Sequence, residues 1–315
     1  MSTLSILTSV STTSGNTSDK GHKRLLALGA ILAFLGAAAL LVYGLTYYLE
    51  PIAQRPYDPR HQMLQPGGLI GVSLGIFGVF LFCLIFLYPL RKRWQWLASK
   101  GNSRHWFNFH ILIGVTAPVV IAFHASFKFR GLAGTAYWIM FAVALSGIVG
   151  RYIYAQVPRS RNSTELSLQD LKELQEKLME RLAAQRLVRP VDLANLFRLP
   201  AAIHVQRRSM LLSFCALLWI DLKRPFRVAR LRRQALGLGD TLLTIGGLFS
   251  SRNRELERVV ALAREQARLS KKLLFLAKSQ QILHLWHVIH RPFSYSFAVL
   301  ALTHIAIALL FGFRT

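Results

Sequence analysis

The sequence predicts an all-α integral membrane protein: five transmembrane helices in a bundle, with a helical cytoplasmic insertion between helices 4 and 5. Hydrophobic residues make up 53% of the 315 residues and charged residues only 17%, and the mean hydropathy is +0.36. Soluble domains do not show this balance. Five uncharged runs of 20 to 24 residues are each long enough to cross a hydrocarbon core about 30 Å thick. A basic stretch of 130 residues, 151–280, lies between the fourth run and the fifth.

The five runs define the predicted organisation of the chain. They are Leu25–Tyr48, Gly67–Leu90, His105–Phe127, Gly131–Gly150 and Pro292–Phe313. The first run is too long for a cleaved signal sequence and follows a polar stretch, so we expect it to stay in the mature protein. The predicted parts are a polar cytoplasmic tail (1–24), transmembrane helices 1 to 4 (25–150), a basic helical insertion (151–280), and an interfacial segment with helix 5 (281–315).

The distribution of positive charge predicts the direction of the helices. Three Lys/Arg residues precede helix 1 and five lie between helices 2 and 3, whereas the loops on the other side carry few or balanced charges. The positive-inside rule then places the N-terminus in the cytoplasm and the C-terminus outside, as in a multi-pass protein of a bacterial inner (cytoplasmic) membrane. Helices 3 and 5 therefore run in the same direction.

The insertion carries 25 Lys/Arg against 11 Asp/Glu, a net +14 of the chain's +25. Anionic lipid or an acidic redox partner protein would suit this charge, and no motif of a nucleic-acid-binding domain accompanies it. We expect an amphipathic helix that opens at Ser167 and Asp170 and ends near Val188. The apolar segment 210–220 is too short to span and should lie in the membrane interface, and a third helix should follow from Arg252 to about Leu276.

Four histidines carry the functional prediction. His110 and His124 lie in helix 3, and His290 and His304 lie at the start and inside of helix 5, each pair 14 residues apart. Fourteen residues bring two side chains to within about 40° in projection and roughly 21 Å apart along a helix. Because the two helices run the same way, His110 is level with His290 near the cytoplasmic side and His124 with His304 near the outer side. Two bis-histidine sites at two depths are what two b-type haems require.

Other interpretations of the histidines remain open. A proton or ion pathway is one, although a cation transporter is disfavoured because none of the five runs contains Asp or Glu. A haem-free membrane scaffold or signalling component with a basic partner-docking loop is another. His105, His284 and His287, near the cytoplasmic interface, could line a quinone pocket or proton path, or simply pack there. We expect the three remaining histidines, His22, His61 and His204, to be exposed.

Several neighbouring residues bear on a haem site. Arg151 and Arg291 flank the cytoplasmic ends of their helices, and Lys128 and Arg130 follow helix 3 on the outer side, so these four could pair with haem propionates. Gly114 and the small residues of helix 4 would allow a flat macrocycle to approach closely. Pro118 and Pro292 can kink the two ligand helices and change the angle between their histidines.

The two His-x13-His pairs make the chain resemble the transmembrane two-haem cytochromes b. This class includes the membrane subunits of respiratory oxidoreductases and the ferric-reductase-like membrane domains. The resemblance covers helices 3 to 5 and implies electron transfer between quinone or a cytoplasmic donor and an acceptor on the outer face. Ferric reductases usually add a flavin and nicotinamide domain after the last helix, so we do not expect a self-contained reductase. Whether the chain is the cytochrome b subunit of an oxidoreductase complex is left open. The strings Ser146–Tyr152 and His287–Phe293 are motif-like but match no particular family.

Overall fold

The computed structural model describes residues 14–157, 168–183, 209–235, 249 and 253–311. Within these ranges the regular elements are all helical. They are α1 (Ser14–Leu49), α2 (His61–Leu64), α3 (Leu69–Arg91), α4 (Gln95–Ala98), α5 (Ser103–His124), α6 (Gly131–Gln156), α7 (Leu168–Ala183), α8 (Met210–Ala235), α9 (Arg254–Leu274) and α10 (Leu276–Phe311), with a short 3-10 helix at Arg55–Tyr57.

Among the described residues, five stretches are long and apolar enough to cross a membrane, in agreement with the five predicted helices. They are Lys20–Leu49, His61–Arg91, Ser103–His124, Gly131–Gln156 and Leu276–Phe311. Their large apolar side chains are widely exposed, for example Phe34 at 72% and Val42 at 78%. Such continuous exposure is unfavourable in water and favourable in lipid.

The chain divides into two compact units, and the first comprises Met1–Val149 and Ile289–Thr315. Here α3 packs along α5, and α1 also contacts α5. One apolar cluster joins Leu81, Ile113, Ala117 and Met140, with Phe297 of α10 packed against it. The first unit thus brings residues of α3, α5, α6 and α10 into one core.

Neither proline ends its helix. Pro118 lies inside α5, and Pro292 lies inside α10, which begins 16 residues earlier, at Leu276. Helix 5 therefore does not start at Pro292, and His290 lies in the body of α10. Pro118 cannot donate a backbone hydrogen bond to the carbonyl of Gly114, so α5 lacks one hydrogen bond of its ladder at this point.

The second unit is Gly150–Val288. The predicted third helix is confirmed, since α9 spans Arg254–Leu274 and buries Leu256, Val259, Val260 and Ala263. It begins at Asn253, whose side chain accepts hydrogen bonds from the amides of Glu255 and Leu256. The first predicted helix is present as α7, but Ser167 and the stretch up to Val188 lie outside the described residues. The segment 210–220 is not a short isolated helix, because α8 continues through Pro225 to Ala235.

A buried ionic cluster connects the helices of the second unit. The Asp221 carboxylate accepts hydrogen bonds from Lys271 Nζ and from the Tyr152 hydroxyl, each at 2.7 Å, and pairs with Arg224. The Lys271 side chain is only 2% exposed. Burial alone would raise the pKa of Asp221, but these hydrogen bonds and the two cations lower it overall. The cluster fixes the rotation of α8 relative to α9.

Candidate haem-ligand site

Both histidines of α5 are held by backbone carbonyls of α3. The Nδ1 atom of His110 lies 3.0 Å from the carbonyl oxygen of Ile85, and Nδ1 of His124 lies 2.8 Å from that of Gly71. Gly71 and Ile85 are also 14 residues apart, in the reverse order, because α3 and α5 are antiparallel. The 14-residue spacing therefore occurs on two helices, and the prediction that His110 and His124 share one face of their helix is confirmed.

These contacts determine the tautomer of the two imidazoles. A carbonyl oxygen only accepts hydrogen bonds, so Nδ1 must carry the proton in both rings. The lone pair then resides on Nε2. This arrangement, in which one ring nitrogen donates to a carbonyl and the other is left with its lone pair, is the usual one for a histidine that ligates a metal.

His304 of α10 meets His124 of α5. Their ring centres are 6.4 Å apart and the ring planes differ by 67°. Two imidazole nitrogens about 2 Å from a shared metal, with each ring centre about 1 Å further back, would separate the ring centres by roughly 6 Å. An ordinary edge-to-face contact covers the same distance, so the fixed tautomer of His124 is what favours ligation.

His290 is positioned by α6. Its Nδ1 lies 2.7 Å from the hydroxyl oxygen of Ser146, while that hydroxyl donates to the carbonyl of Val143 at 2.8 Å. Since the serine proton is directed to Val143, the hydrogen bond is satisfied when Nδ1–H of His290 donates to Ser146. His290 then has the same tautomer as His110 and His124. Ser146 belongs to the motif-like string Ser146–Tyr152, which this contact explains in part.

A glycine of α3 makes room for one of the four rings. A Cβ atom at Gly75 would lie 2.8 Å from Cε1 and 2.9 Å from Nδ1 of His124, closer than side chains allow. At Gly147 the nearest atom to an added Cβ would be Cε1 of His290, at 3.9 Å. A Cβ at Gly114 would meet no protein atom within 4 Å. The donor chemistry of His110, His124 and His290 fits imidazoles that bind a haem iron.

The turn that follows His124 is held by a buried arginine. Arg55 is 5% exposed, and its guanidinium donates to the carbonyls of Glu50, Tyr48 and Ser126 at 3.1, 2.7 and 2.6 Å. Ser126 and Phe127 have φ values of 48° and 58°, a strained conformation for residues other than glycine. The Ser126 hydroxyl also donates to the carbonyl of Leu64. These hydrogen bonds stabilise the strained turn and fix the end of α5.

An aromatic side chain and a cation lie beside His110. The Tyr88 ring is 5.2 Å from the His110 ring, and Lys92 Nζ lies 4.8 Å from the centre of the Tyr88 ring. Lys92 was not among the cations selected from the sequence. It was treated there only as a positive-inside charge, because a sequence does not show which of several flanking lysines and arginines turns toward a ligand.

The four cations selected from the sequence occupy surface positions. Lys128 is half-buried in the turn after His124, and Arg130, Arg151 and Arg291 are exposed. Arg291 directly follows His290 in α10. These positions are accessible to an acidic group.

Two of the three histidines expected to be exposed are not. His22 is half-buried and stacks on His105, with ring centres 3.8 Å apart and planes 20° apart. His61 is half-buried, with Nδ1 3.1 Å from the hydroxyl of the fully buried Tyr47. Both corrections have the same cause: tertiary packing of helix ends, which polarity in the sequence does not reveal. His204 lies outside the described residues.

Comparisons with known proteins do not identify a family for this chain. Neither protein-family models, nor curated proteins, nor solved structures gave a match to this chain. Among the described residues, there is no group of three or more His, Cys, Asp or Glu side chains arranged to hold a metal ion. A bis-histidine haem site uses only two protein ligands.

Proposed function

We propose that this chain is a transmembrane electron carrier of the two-haem cytochrome b class. His110 and His290 hold the inner haem, and His124 and His304 hold the outer one. Quinone or a cytoplasmic redox partner exchanges electrons with the chain at one face of the membrane. An electron acceptor or donor exchanges electrons with it at the opposite face. The membrane is the bacterial inner membrane, with the N-terminus in the cytoplasm and the C-terminus outside.

One observation carries the proposal: the matched hydrogen bonds from His110 and His124 to two carbonyls of α3. A ring nitrogen that donates to a backbone carbonyl leaves the lone pair of the other nitrogen for a metal. Here Nδ1 is satisfied by the backbone in two rings that lie about 21 Å apart along the axis. A second ring, His304, lies at ligation distance from one of them.

When bound, haem supplies one-electron chemistry through its iron, and the protein supplies everything that fixes and tunes it. The α3 carbonyls and Ser146 orient the ligand rings and raise the basicity of their Nε2 atoms. Positive charge lies at one end on Lys92 and Arg291 and at the other on Lys128, Arg130 and buried Arg55. This charge favours the reduced, less positive state, and the side chains other than Arg55 offer partners for propionates. Arg151 is a further propionate candidate at the cytoplasmic end of α6.

The test is the haem content and spectrum of the purified full-length chain. We expect two b-type haems per chain in a reduced-minus-oxidised difference spectrum and a pyridine haemochrome assay. His124→Ala and His304→Ala should each remove the same one of two redox steps, and His110→Ala and His290→Ala should each remove the other. His61→Ala is the matched control, since His61 hydrogen-bonds to Tyr47 and should leave both steps in place.

Two outcomes would overturn the proposal. Purified protein without haem, in cells that supply it, would favour the haem-free scaffold with a partner-docking loop. A spectrum in which each of the four substitutions removes both centres equally would show a shared structural role instead of two ligand pairs.

A further inference from the structure

Helix α8 presents an apolar face to its surroundings. Seven of its side chains are exposed at Leu211, Leu212, Cys215, Leu218, Trp219, Leu222 and Phe226. The exposed fractions reach 72% at Leu211, 62% at Leu222 and 61% at Phe226. At about 100° per residue, the seven lie within an arc of roughly 120°, and the stripe from Leu211 to Phe226 is about 22 Å long. We call this surface the α8 face.

The opposite side of α8 is the one that packs. Ser213, Leu217 and Val228 are buried there, and Asp221 joins Lys271 and Tyr152 on the same side. Because these contacts are ionic and buried, α8 cannot rotate to hide its apolar face without leaving Lys271 as an unpaired buried charge, which would be strongly unfavourable. The exposure of the α8 face is therefore set by the fold of the second unit.

Positive charge accompanies the α8 face. Lys223 lies at its edge, with Nζ 4.4 Å from the centre of the Trp219 ring, and Arg230 and Arg233 continue the exposed side beyond Phe226. Trp at the boundary of an apolar stripe, with lysine and arginine beside it, is the composition of helices that lie in the interface of anionic membranes. A protein partner or a second copy would have to offer an acidic rim around an apolar groove, whereas an anionic leaflet supplies both features at once.

We propose that the α8 face inserts into an anionic lipid leaflet, parallel to the membrane plane, with Lys223, Arg230 and Arg233 at the lipid headgroups. This interaction is independent of haem binding. It ties the second unit to the membrane along a helix that is not one of the five candidate spans.

The chain contains a native probe for this proposal, because Cys215 lies on the α8 face and Cys83 is the only other cysteine. Full-length Cys83→Ser protein is labelled at Cys215 with a nitroxide and reconstituted into phosphatidylcholine vesicles with and without phosphatidylglycerol. Power saturation then compares collisions with oxygen, which partitions into lipid, and with a water-soluble nickel chelate. The matched control is Cys83→Ser/Cys215→Ser/Glu265→Cys, labelled at an exposed polar position of α9.

We expect the oxygen-to-nickel ratio at Cys215 to exceed that at the control by several-fold in vesicles that contain phosphatidylglycerol. Replacing Lys223, Arg230 and Arg233 by Gln, or omitting phosphatidylglycerol, should lower the ratio. A water-exposed Cys215 label in anionic vesicles would overturn the proposal. An oxygen-to-nickel ratio that does not change with the phosphatidylglycerol content would also overturn it. Spin–spin broadening that disappears on dilution with unlabelled protein would overturn it as well, because it would show a second copy on the α8 face.

Discussion

Substitution of Gly75 is the most selective way to disturb one of the two proposed ligand pairs. In Gly75→Ala the new Cβ would lie 2.8 Å from Cε1 and 2.9 Å from Nδ1 of His124. Ordinary contacts begin at about 3.4 Å, so the ring must move by about 0.6 Å. A shift of that size away from α3 lengthens the 2.8 Å hydrogen bond to Gly71 beyond the usual N–H···O range, which ends at about 3.2 Å.

Gly75→Ala should lower the haem affinity of only one of the two proposed centres. Losing the orienting hydrogen bond of a ligand histidine lowers metal affinity by about 10-fold to 100-fold, and strain from the added methyl contributes further. In Gly75→Ala we expect partial loss of the outer haem, or a higher potential for it because a less basic imidazole stabilises the oxidised iron less, with the inner haem unchanged. Potentiometric titration of the difference spectrum, together with low-temperature EPR of the oxidised protein, separates the two centres.

Two control variants sharpen the Gly75 experiment. Gly36→Ala adds a methyl where no atom lies within 4 Å, and should change nothing. Gly78→Ala, one turn along α3, meets only the Cδ1 and Cγ1 atoms of Ile121, a side chain that can move aside. Two intact redox steps with wild-type potentials in Gly75→Ala, or equal damage to both centres, would refute the placement of His124 as an outer ligand held by α3.

Three further predictions concern other contacts. Ser146→Ala removes the acceptor for Nδ1 of His290 and should weaken or shift the inner centre alone, as seen in the same redox titration. Arg55→Ala leaves three buried carbonyls without their donor and should lower the free energy of unfolding by about 3 kcal/mol or more, at 1 to 3 kcal/mol per group, measured by thermal denaturation in detergent. The pKa of Asp221 is lowered in the folded state, so Asp221 contributes its full stabilisation above the unfolded pKa of about 3.9. This stabilisation is lost as the pH falls through the folded pKa. Lys271→Met should remove much of this acid dependence of the free energy of unfolding.

Each of these has an outcome that would contradict it. Ser146→Thr keeps the hydroxyl and should behave like the wild type, so equal effects of Thr and Ala would argue against the hydrogen bond. Arg60→Ala, at a more exposed position, should cost less than Arg55→Ala. An acid transition of the second unit that is the same in wild type and Lys271→Met would show that Asp221 is not the group responsible.

The sequence predicted the features that depend on composition and period. Five uncharged runs of spanning length predicted five long helices, and the apolar residues of 256–263 predicted the buried face of α9. The 14-residue spacing also placed His110 and His124 on one face. These predictions succeed because hydrophobic length and helical periodicity are local properties of the chain.

Features that depend on distant contacts could not be predicted. The carbonyl that accepts from His124 lies 53 residues away, and every residue has a carbonyl, so no residue type signals it. In the sequence, Arg55 is one of the few charged residues of a predicted outer loop. In the structure its side chain is buried and donates three hydrogen bonds to backbone carbonyls. The extension of α8 through Pro225 was missed because proline usually ends a helix, whereas here buried contacts on both sides of Pro225 hold the helix together.

The hydrogen bonds of the proposed ligand histidines explain why α5 and α10 need neighbouring helices. Two helices with four histidines would supply every axial bond of two haems, but a ring on a lone helix would be free to rotate and to exchange tautomers. Here α3, which contains no histidine, fixes both rings of α5, and α6 fixes His290 through Ser146. The turn held by Arg55 closes the end of α5 beside His124. It follows that substitutions in α3 and α6 should alter spectra and potentials as strongly as many substitutions in the ligand helices, because the ring orientation that a ligand needs is set by its neighbours.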